Sequence, residues 1–396
     1  MKILLLSMYY YPKPKSVATQ MYDLAQALVT QQHDVTVVTT TENQKEKIKI
    51  TKENLIEVIR IKTKTFAKIN RFKRLLREIR LSKLIWKNCK IFFKKNHYDL
   101  IIFYSPPIFF SSLVKKLKKL WKAKVYLILR DLFPQWSVDI GLISQHGLAY
   151  KFLHHFEKNQ YAVSDIIGVQ SEHNLHYFSE KKLKIQAKLE ILHNWKQIDN
   201  LQIQPIYLRK KLGLTDKIVF VYSGNIGVAQ DMPNIIRLAE KFTNITNIHF
   251  LLLGDGDELS NVKQIIMQKQ LTNISIHPPL KPKEYLSALS EFDVGMISLS
   301  KHLKTHNFPG KMLDYMCIKK PILASINVGN DLRQCIENGN AGLVSINGDD
   351  DLLFKNANRL IANSNLRKTM GKNGFNLLND KFSAMQIAKQ IAKHLN

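Results

Sequence analysis

A short segment at residues 306–324, with the sequence HNFPGKMLDYMCIKKPILA, places a lysine and an aspartate at the start of a predicted helix. The first turn of a helix leaves backbone N–H groups without partners, and such groups bind anions. Lys311 lies in that turn and adds positive charge, and the carboxylate of Asp314 can accept hydrogen bonds from sugar hydroxyls. The segment predicts a site for a phosphate beside a sugar, as in a nucleotide sugar. An ordinary capped helix of an α/β domain would show the same local pattern.

A glycine-containing turn, SGNIG at residues 223–227, follows an apolar run and precedes a helix that begins near Met232. Its glycines allow the backbone to approach a diphosphate closely, and Ser223 and Asn225 can donate hydrogen bonds. The turn is not the dinucleotide fingerprint, because it has no third glycine, and no Gly-Lys-Ser/Thr follows to make it a P-loop. It indicates a diphosphate contact without identifying the nucleotide.

Other strand ends in the second half of the chain are less specific. The acidic turn at residues 254–258 lacks the spacing of a calcium loop and is better interpreted as a turn. His302 and His306 are four positions apart, but Pro309 and the absence of a further zinc-type ligand argue against a metal pair. The rigid backbone around Pro278 could hold a flat base through main-chain hydrogen bonds. We therefore expect no metal and no cofactor.

The first half of the chain also carries polar residues after apolar runs. Arg130 and Asp131 follow one run, and they could line a cleft or form a buried ion pair that braces a loop. Two further groups face the same edge of the predicted sheet and are candidates for the acceptor side of a site: Tyr10, Tyr11 and Lys13 after the first run, and Ser105 after a later one.

Strand-like and helix-like runs alternate along most of the 396 residues, and these strands and helices must position the candidate residues. The strands are continuous apolar runs, which is typical of parallel sheets covered on both faces. A polar stretch near residue 200 separates two such patterns. We predict an α/β fold of two doubly wound Rossmann-like domains facing a cleft, with ligands outside the carboxyl ends of the strands. The predicted ranges are 1–200, 201–378 and a final amphipathic helix in 379–396 that packs back on the first domain.

Composition restricts the location of the protein. The three cysteines are too few for a disulfide framework and fit a reducing cytoplasm. The first residues, MKILLLSMYYYPKP, lack a small-residue cleavage site and are better interpreted as a buried strand than as a signal peptide. The longest other apolar run, residues 100–114, is too short to span a bilayer. We expect a soluble, cytoplasmic protein.

Net charge is +27, and the excess is concentrated in residues 64–95 and 115–124. Apolar residues within 66–95 recur at helical spacing with basic residues between them, which predicts a basic amphipathic helix. Such helices suit anionic membrane surfaces, although a solvated helix face has the same periodicity. We expect a peripheral position at the inner face of the cytoplasmic membrane. No nucleic-acid-binding module is present, so nucleic acid is not an expected partner.

Taken together, these motifs resemble the family 4 glycosyltransferases of the GT-B fold over nearly the whole chain. Within that family the chain looks most like bacterial transferases of surface-polysaccharide assembly, including N-acetyl-L-fucosamine transferases. The resemblance implies that a sugar moves from a nucleotide-diphosphate donor, with UDP the expected nucleotide, to a lipid-linked (polyprenyl diphosphate) sugar acceptor. It also implies that the anomeric configuration of the sugar is retained and that no metal is bound. The motifs that carry it are YYYPKP, RDLFPQWSVDIGLI, HNW, SGNIGVAQDMPNII, LLLGDGDEL and FPGKMLDYMCIKKPILA.

Carried over by position, the resemblance implies a donor site in the second half of the chain. Lys311 would neutralise the diphosphate and Asp314 would bind the ribose, as the second acidic residue of the family motif. The first acidic position holds His306, and the family's Arg and Lys of the donor loop are replaced by Asn225 and Gln230. The complete predicted donor set is Ser223, Gly224, Asn225, Gly227, Gly254, Pro278, His306, Gly310, Lys311 and Asp314.

For catalysis, Arg130 aligns with the family's cleft histidine and adjoins Asp131. Together with Lys311, these residues form the predicted catalytic set, in which positive charge stabilises the departing diphosphate. Two alternatives stay open at this point: a UDP-sugar epimerase of the same fold, and a nucleic-acid-binding protein driven by the net charge.

Overall fold

The computed structural model describes residues 1–13, 15–66, 69–139, 141–180, 185–198, 203–303 and 308–395. The chain divides into two compact units. The first consists of Met1–Gln197 together with Ala384–Asn396, and the second of Ile198–Ser383. The first unit therefore ends at residue 197, three residues before the predicted boundary at residue 200. The chain re-enters the first unit at residue 384, five residues after the predicted start of the final segment at residue 379.

The first unit is built on an eight-stranded sheet in the order β3-β4-β2-β1-β5-β6-β7-β8. Neighbouring strands are parallel, except that β3 pairs with β4 antiparallel. The central strand β1 is KILLL, and its four apolar residues are fully buried because helices cover both faces of the sheet. The strands are β1 Lys2–Leu6, β2 Asp34–Thr41, β3 Ile48–Glu53, β4 Ile56–Lys62, β5 Leu100–Ser105, β6 Lys124–Leu129, β7 Ile166–Val169 and β8 Lys188–Ile191.

The helices of the first unit lie between these strands. They are α1 Ser16–Thr30, α2 Arg71–Ile79, α3 Leu81–Lys95, α4 Ser111–Trp121, α5 Gln135–Asp139, α6 Leu148–Val163 and α7 Glu172–Glu180, with a 3₁₀ turn at Ile108–Phe110. The C-terminal helix, Ala384–Ala392, also belongs to this unit, where Ile387 and Ile391 share an apolar cluster with Leu24 and Leu28 of α1.

The prediction of one basic helix within residues 66–95 is wrong, because the segment forms two helices that meet at Arg80. Each helix buries its apolar side in a different place. Residues of α3 such as Ile85 and Phe93 enter the main core, whereas Leu75 and Ile79 of α2 pack on the small cluster around Phe109. A single straight helix could not serve both clusters.

The second unit holds a parallel six-stranded sheet in the order β11-β10-β9-β12-β13-β14. Its strands are β9 Ile218–Asn225, β10 Ile248–Asp255, β11 Ile274–His277, β12 Val294–Ser298, β13 Ile322–Ile326 and β14 Gly342–Ile346. Its helices are α8 Leu208–Lys211, α9 Met232–Glu240, α10 Leu259–Gln268, α11 Pro282–Ser290, α12 Gly310–Cys317, α13 Leu332–Asn338, α14 Asp350–Ala362 and α15 Ser364–Leu377; a 3₁₀ turn at Val228–Gln230 and a π-helical turn at Leu378–Phe382 complete it.

Both sheets reverse their strand order at one point, between β1 and β5 in the first unit and between β9 and β12 in the second. This is the doubly wound arrangement, so the predicted fold class is confirmed. Ligands of such sheets bind outside the carboxyl ends of the strands at the reversal point. In the second unit, this point is the end of β9. Among the described residues, no helix combines the length and apolarity needed to cross a membrane.

Candidate functional site

The turn at residues 223–227 lies at the carboxyl end of β9, where its backbone has a conformation that favours glycine. Gly224 has φ +117°, in the left-handed region. It is paired in register with Gly254 of β10, and a Cβ on Gly254 would collide with the carbonyl oxygen of Gly224. The two glycines therefore keep the strand ends close together and leave the surface of the turn open to a ligand.

Lys311, in the first turn of α12, points its ammonium towards this turn. Nζ lies 3.4 Å from the centroid of the Tyr222 ring and 3.5 Å from the position that a Cβ on Gly224 would occupy. Within the described ranges, the side chain of Lys311 forms no hydrogen bond and no ion pair. Burial lowers the pKa of Lys311 well below its ordinary value, and Asp314 opposes this effect. A partly buried ammonium that forms no ion pair with a described residue favours the binding of an anion here.

Asp314 lies one helical turn after Lys311 on α12 and is held by a tyrosine. The hydroxyl of Tyr285, on α11, donates a hydrogen bond to Oδ2 of Asp314 over 3.2 Å. The same hydroxyl lies 2.8 Å from Oγ of Ser223. The carboxylate is therefore oriented from the end of β9, as a residue that accepts sugar hydroxyls would need to be.

Helix α12 is fixed to β9 by Tyr315, which is fully buried. Its hydroxyl accepts a hydrogen bond from the backbone N–H of Ser223 over 3.0 Å and lies 3.1 Å from the carbonyl oxygen of Val221. Gly295 makes room for the phenol, since a Cβ there would collide with the ring. Lys311 is one turn earlier on the same helix face, so Tyr315 sets its position.

Two amide side chains stand where the resemblance expects Arg and Lys. Nδ2 of Asn225 donates to Oε1 of Gln230 over 2.9 Å, so the two form a bridge across the turn. Gly227 permits this bridge, because a Cβ on it would come within 2.6 Å of the Asn225 amide. This part of the turn carries no charge, which leaves more of the neutralisation of an anion to Lys311.

The remaining predicted donor residues have varied positions. Ser223 is fully buried, with its Oγ between two tyrosine hydroxyls, so it supports the turn from behind. Gly310 is the first residue of α12. Pro278 is exposed after β11, and its carbonyl accepts a hydrogen bond from the His277 ring over 2.7 Å. His306 lies outside the described residues. The expectation that no metal is bound stays a prediction.

In the first unit, Arg130 is buried at the end of β6. Its guanidinium donates to the carbonyls of Leu192 and His193 over 2.6 and 3.1 Å and lies 5.0 Å from the centre of the Trp195 ring. Burial lowers the pKa of Arg130 to about 10, so the group stays charged at neutral pH. Asp131 is exposed, and the ion pairs of the described residues do not include one between the two. The buried ion pair considered from the sequence is therefore not observed.

The predicted acceptor residues differ in exposure. Tyr11 is exposed, whereas Tyr10 is buried. Lys13 forms an ion pair with Glu42, with Nζ 3.2 Å from Oε1. Ser105 is fully buried at the end of β5, next to Arg130, whose backbone N–H donates to the Ser105 carbonyl over 3.1 Å. The structure thus brings Ser105 and Arg130 together.

Sequence reasoning missed three tyrosines of this site. Tyr222 occupies the last apolar position of a predicted strand. Tyr315 lies on the apolar face of a predicted helix, and Tyr285 lies in a predicted helix with no recognised motif. Each would be assigned to the core by its spacing alone. The hydroxyl of Tyr285 contacts Asp314, 29 positions away, and that of Tyr315 contacts Val221, 94 positions away, so no local pattern could reveal these contacts.

Two family models match the chain: the model described as Glycosyltransferase Family 4 matches residues 17–195, and the one described as Glycosyl transferases group 1 matches residues 206–377. Among curated proteins, the probable glycosyltransferase WbjE of Pseudomonas aeruginosa is 23% identical over 222 residues, covering 55% of each chain. The putative colanic acid biosynthesis glycosyl transferase WcaI of Escherichia coli K12 is 24% identical over 247 residues, covering 60% of each. The matches thus span little more than half the length of these relatives.

Among solved structures, that of HepE from Anabaena in complex with UDP and glucose aligns with a TM-score of 0.70. The identity is 16%, and the alignment covers 100% of this chain and 99% of that one. At this identity, the likeness describes the fold, and it extends over both units.

Proposed function

We propose a sugar transfer for this chain, which belongs to the family 4 glycosyltransferases of the GT-B fold. The donor is a nucleotide-diphosphate sugar, with UDP the favoured nucleotide, and the acceptor is a lipid-linked glycan of surface-polysaccharide synthesis. The complex of HepE with UDP and glucose supports the nucleotide, and the name of WcaI supports polysaccharide synthesis. Transfer of an N-acetylated deoxyhexosamine with retention is the finer proposal, and it rests on the resemblance of the motifs.

One observation carries this proposal: the Lys311 ammonium lies beside the Gly224 turn and forms no ion pair with any described residue. When the sugar leaves, its bond to the diphosphate breaks and negative charge develops on the leaving oxygen. A fixed ammonium in a partly buried site meets that charge without reorganisation, which is the most effective form of electrostatic catalysis. The first N–H groups of α12 add a second, weaker attraction.

The remaining residues of the second unit bind and orient the donor in this proposal. The turn at residues 223–227 brings the backbone close to the diphosphate, Asp314 accepts the ribose hydroxyls, and the exposed backbone at Pro278 faces the base. In the first unit, the exposed Asp131 acts on the sugar, Arg130 supports it from a buried position at the end of β6, and the exposed Tyr11 contacts the acceptor.

A panel of UDP- and GDP-sugars, each incubated with polyprenyl-diphosphate-linked sugars, tests the reaction directly. We expect release of the nucleoside diphosphate from one donor only when an acceptor is present, together with a glycolipid longer by one sugar. Lys311→Ala serves as the inactive control. An isomerised sugar formed from the donor without any acceptor would instead identify an epimerase, and the absence of any turnover with the whole panel would contradict the proposal.

Helix α2 supports a position at an anionic membrane surface, where a lipid-linked acceptor resides. Phe72 is 68% exposed and Leu76 is 37% exposed, although both are apolar. On the neighbouring α6, Leu148 and Phe152 are also exposed. Apolar side chains beside cations are the combination that inserts into the interface of an anionic bilayer. We propose that this face docks on the inner side of the cytoplasmic membrane.

Cosedimentation with vesicles of anionic or neutral lipid tests this docking. Four cations lie in α2 or directly after it: Lys73, Arg74, Arg77 and Arg80. Reversal of their charges should abolish sedimentation with the anionic vesicles. The matched control reverses four exposed cations of the second unit and should change sedimentation little. These four residues are Lys355, Arg359, Lys368 and Lys372. Equal losses in both variants would mean that net charge alone, and not this face, binds the membrane.

A further inference from the structure

We propose that Tyr285 is a positioning residue for the donor, holding the Asp314 carboxylate in the orientation that accepts the ribose hydroxyls. This inference rests on the proposed function. It adds a residue that no motif of the chain indicates, and it gives a structural reason for the conformation of Asp314.

A chain of hydroxyl groups connects Asp314 to the backbone of β9. Tyr285 Oη lies 3.2 Å from Asp314 Oδ2 and 2.8 Å from Ser223 Oγ. Ser223 Oγ lies 3.1 Å from the hydroxyl of Tyr315, which also contacts the carbonyl of Val221. Ser223 and Tyr315 are fully buried, so water does not compete for the hydrogen bond between their hydroxyl groups.

The number of hydroxyl hydrogens determines which group donates and which accepts in this series of hydrogen bonds. A carboxylate only accepts hydrogen bonds, so the single hydrogen of the Tyr285 hydroxyl is donated to Asp314. Tyr285 must then accept from Ser223, whose only hydroxyl hydrogen is used in that bond. Tyr315 donates to Ser223 or to a backbone carbonyl of the sheet. The carboxylate is thus oriented by donors that are themselves fixed by β9.

Tyr285 can fulfil this role across the physiological range of pH. Burial, with a further contribution from Asp314, holds the pKa of Tyr285 well above its ordinary value, so its hydroxyl keeps the hydrogen that it donates. A carboxylate has about four acceptor positions, and the bond from Tyr285 takes one of them. Tyr285 therefore constrains the carboxylate without occupying the site.

The test measures the preference for a complete ribose by titration calorimetry. UDP and GDP, and the 2′-deoxy and 3′-deoxy forms of whichever binds, are titrated into the wild-type protein and into Tyr285→Phe. We expect Tyr285→Phe to weaken binding of the ribonucleotide by about tenfold and to change binding of at least one deoxy form by less than about twofold. In turnover, KM for the donor should rise while kcat changes little.

Tyr207→Phe is the matched control, because Tyr207 is an exposed tyrosine of the same unit. Ser223→Ala, which removes the hydroxyl that Tyr285 accepts from, should produce a smaller loss of the same preference, and it replaces Tyr285→Phe if that variant does not fold. A Tyr285→Phe protein with the full wild-type preference for ribose would overturn the inference while leaving the proposed function intact. Failure of the wild-type protein to bind either nucleotide would overturn both.

Discussion

The ammonium of Lys311 lies 3.4 Å from the centre of the Tyr222 ring, within the distance of a cation–π interaction. An aromatic face attracts a cation without neutralising it, unlike a carboxylate. Tyr222 therefore supports the lysine in a partly buried position while its charge stays available to a ligand. The Tyr222 hydroxyl also donates to the carbonyl of Asn225, which connects this support to the donor turn.

Replacement of the Tyr222 ring should weaken binding of a nucleoside diphosphate. We expect Tyr222→Leu to lower the affinity for UDP or GDP by about 5- to 30-fold, since a cation–π interaction is worth about 1 to 2 kcal/mol in a desolvated site. Tyr222→Phe keeps the ring and should retain most of the affinity. Titration calorimetry measures both, with thermal unfolding to confirm that each variant is folded. Equal affinities in Tyr222→Leu and the wild type would show that the ring does not support the site.

Affinity for the nucleotide should fall as pH rises. The pKa of Lys311 is lowered by burial in the free protein, and an anion raises it again, so binding takes up a proton wherever the free amine is partly neutral. Calorimetry between about pH 6 and pH 9, in buffers of different ionisation enthalpy, measures this uptake. Lys311→Arg keeps its charge throughout and should show a nearly flat profile. A flat wild-type profile without proton uptake would contradict the prediction.

Gly254 and Gly310 should respond differently to the same substitution. Gly254→Ala places a methyl group against the Gly224 carbonyl, so the paired ends of β9 and β10 must separate, and we expect a loss of about 1 to 3 kcal/mol in the free energy of unfolding. Nothing lies within 4 Å of a Cβ on Gly310, so Gly310→Ala should be neutral or slightly stabilising. Urea unfolding measures both. Similar values for the two variants would refute the close pairing.

Asp23, buried on α1, should make stability depend on pH. Burial raises its pKa to about 6, although the backbone N–H of Gln197 donates to its Oδ2 over 3.1 Å. The unfolded chain loses this proton near pH 4, so stability falls as pH rises from about 4 to about 6. Asp23→Asn avoids this loss and should raise the free energy of unfolding by about 1 to 3 kcal/mol near neutral pH.

The gain from Asp23→Asn should disappear below about pH 3, where the Asp23 carboxyl is protonated in both the folded and the unfolded state. Asp216→Asn, at an exposed aspartate of the second unit, is the control and should have little effect at any pH. A gain of the same size at acid and neutral pH would mean that the carboxyl of Asp23 keeps its ordinary pKa.

The strands of this fold could be predicted from sequence because they are short apolar runs. The apolar runs at residues 274–277 and 294–298 predict two strands, and the structure confirms them with the same ends as β11 Ile274–His277 and β12 Val294–Ser298. β3 was not predicted, since the sequence IKITKE forms an exposed edge strand with little apolar pattern. Helices α14 and α15 also have no counterpart in the prediction. Their apolar positions are interrupted by Asn and Lys, which obscures the periodicity.

The candidate site was predicted in parts. Sequence identified Lys311 and Gly224 separately, the first in the first turn of a helix and the second after a strand, and the topology of a doubly wound sheet brings their segments to one edge. Their contact, and the support from Tyr222 and Tyr285, depend on packing between distant segments. The break between α2 and α3 at Arg80 also depends on packing between distant segments, because the two helices bury their apolar sides in different clusters.

The central claim is that Lys311 meets the diphosphate of the donor, and calorimetric titration of UDP and GDP into the wild-type protein and Lys311→Ala tests it most directly. We expect the wild type to bind one of the two nucleotides and the variant to lose affinity by about 100-fold or more, because a charged hydrogen bond to phosphate is lost. The variant should keep the wild-type thermal unfolding temperature, and sugar transfer should be abolished. Wild-type affinity and turnover in Lys311→Ala would contradict the account.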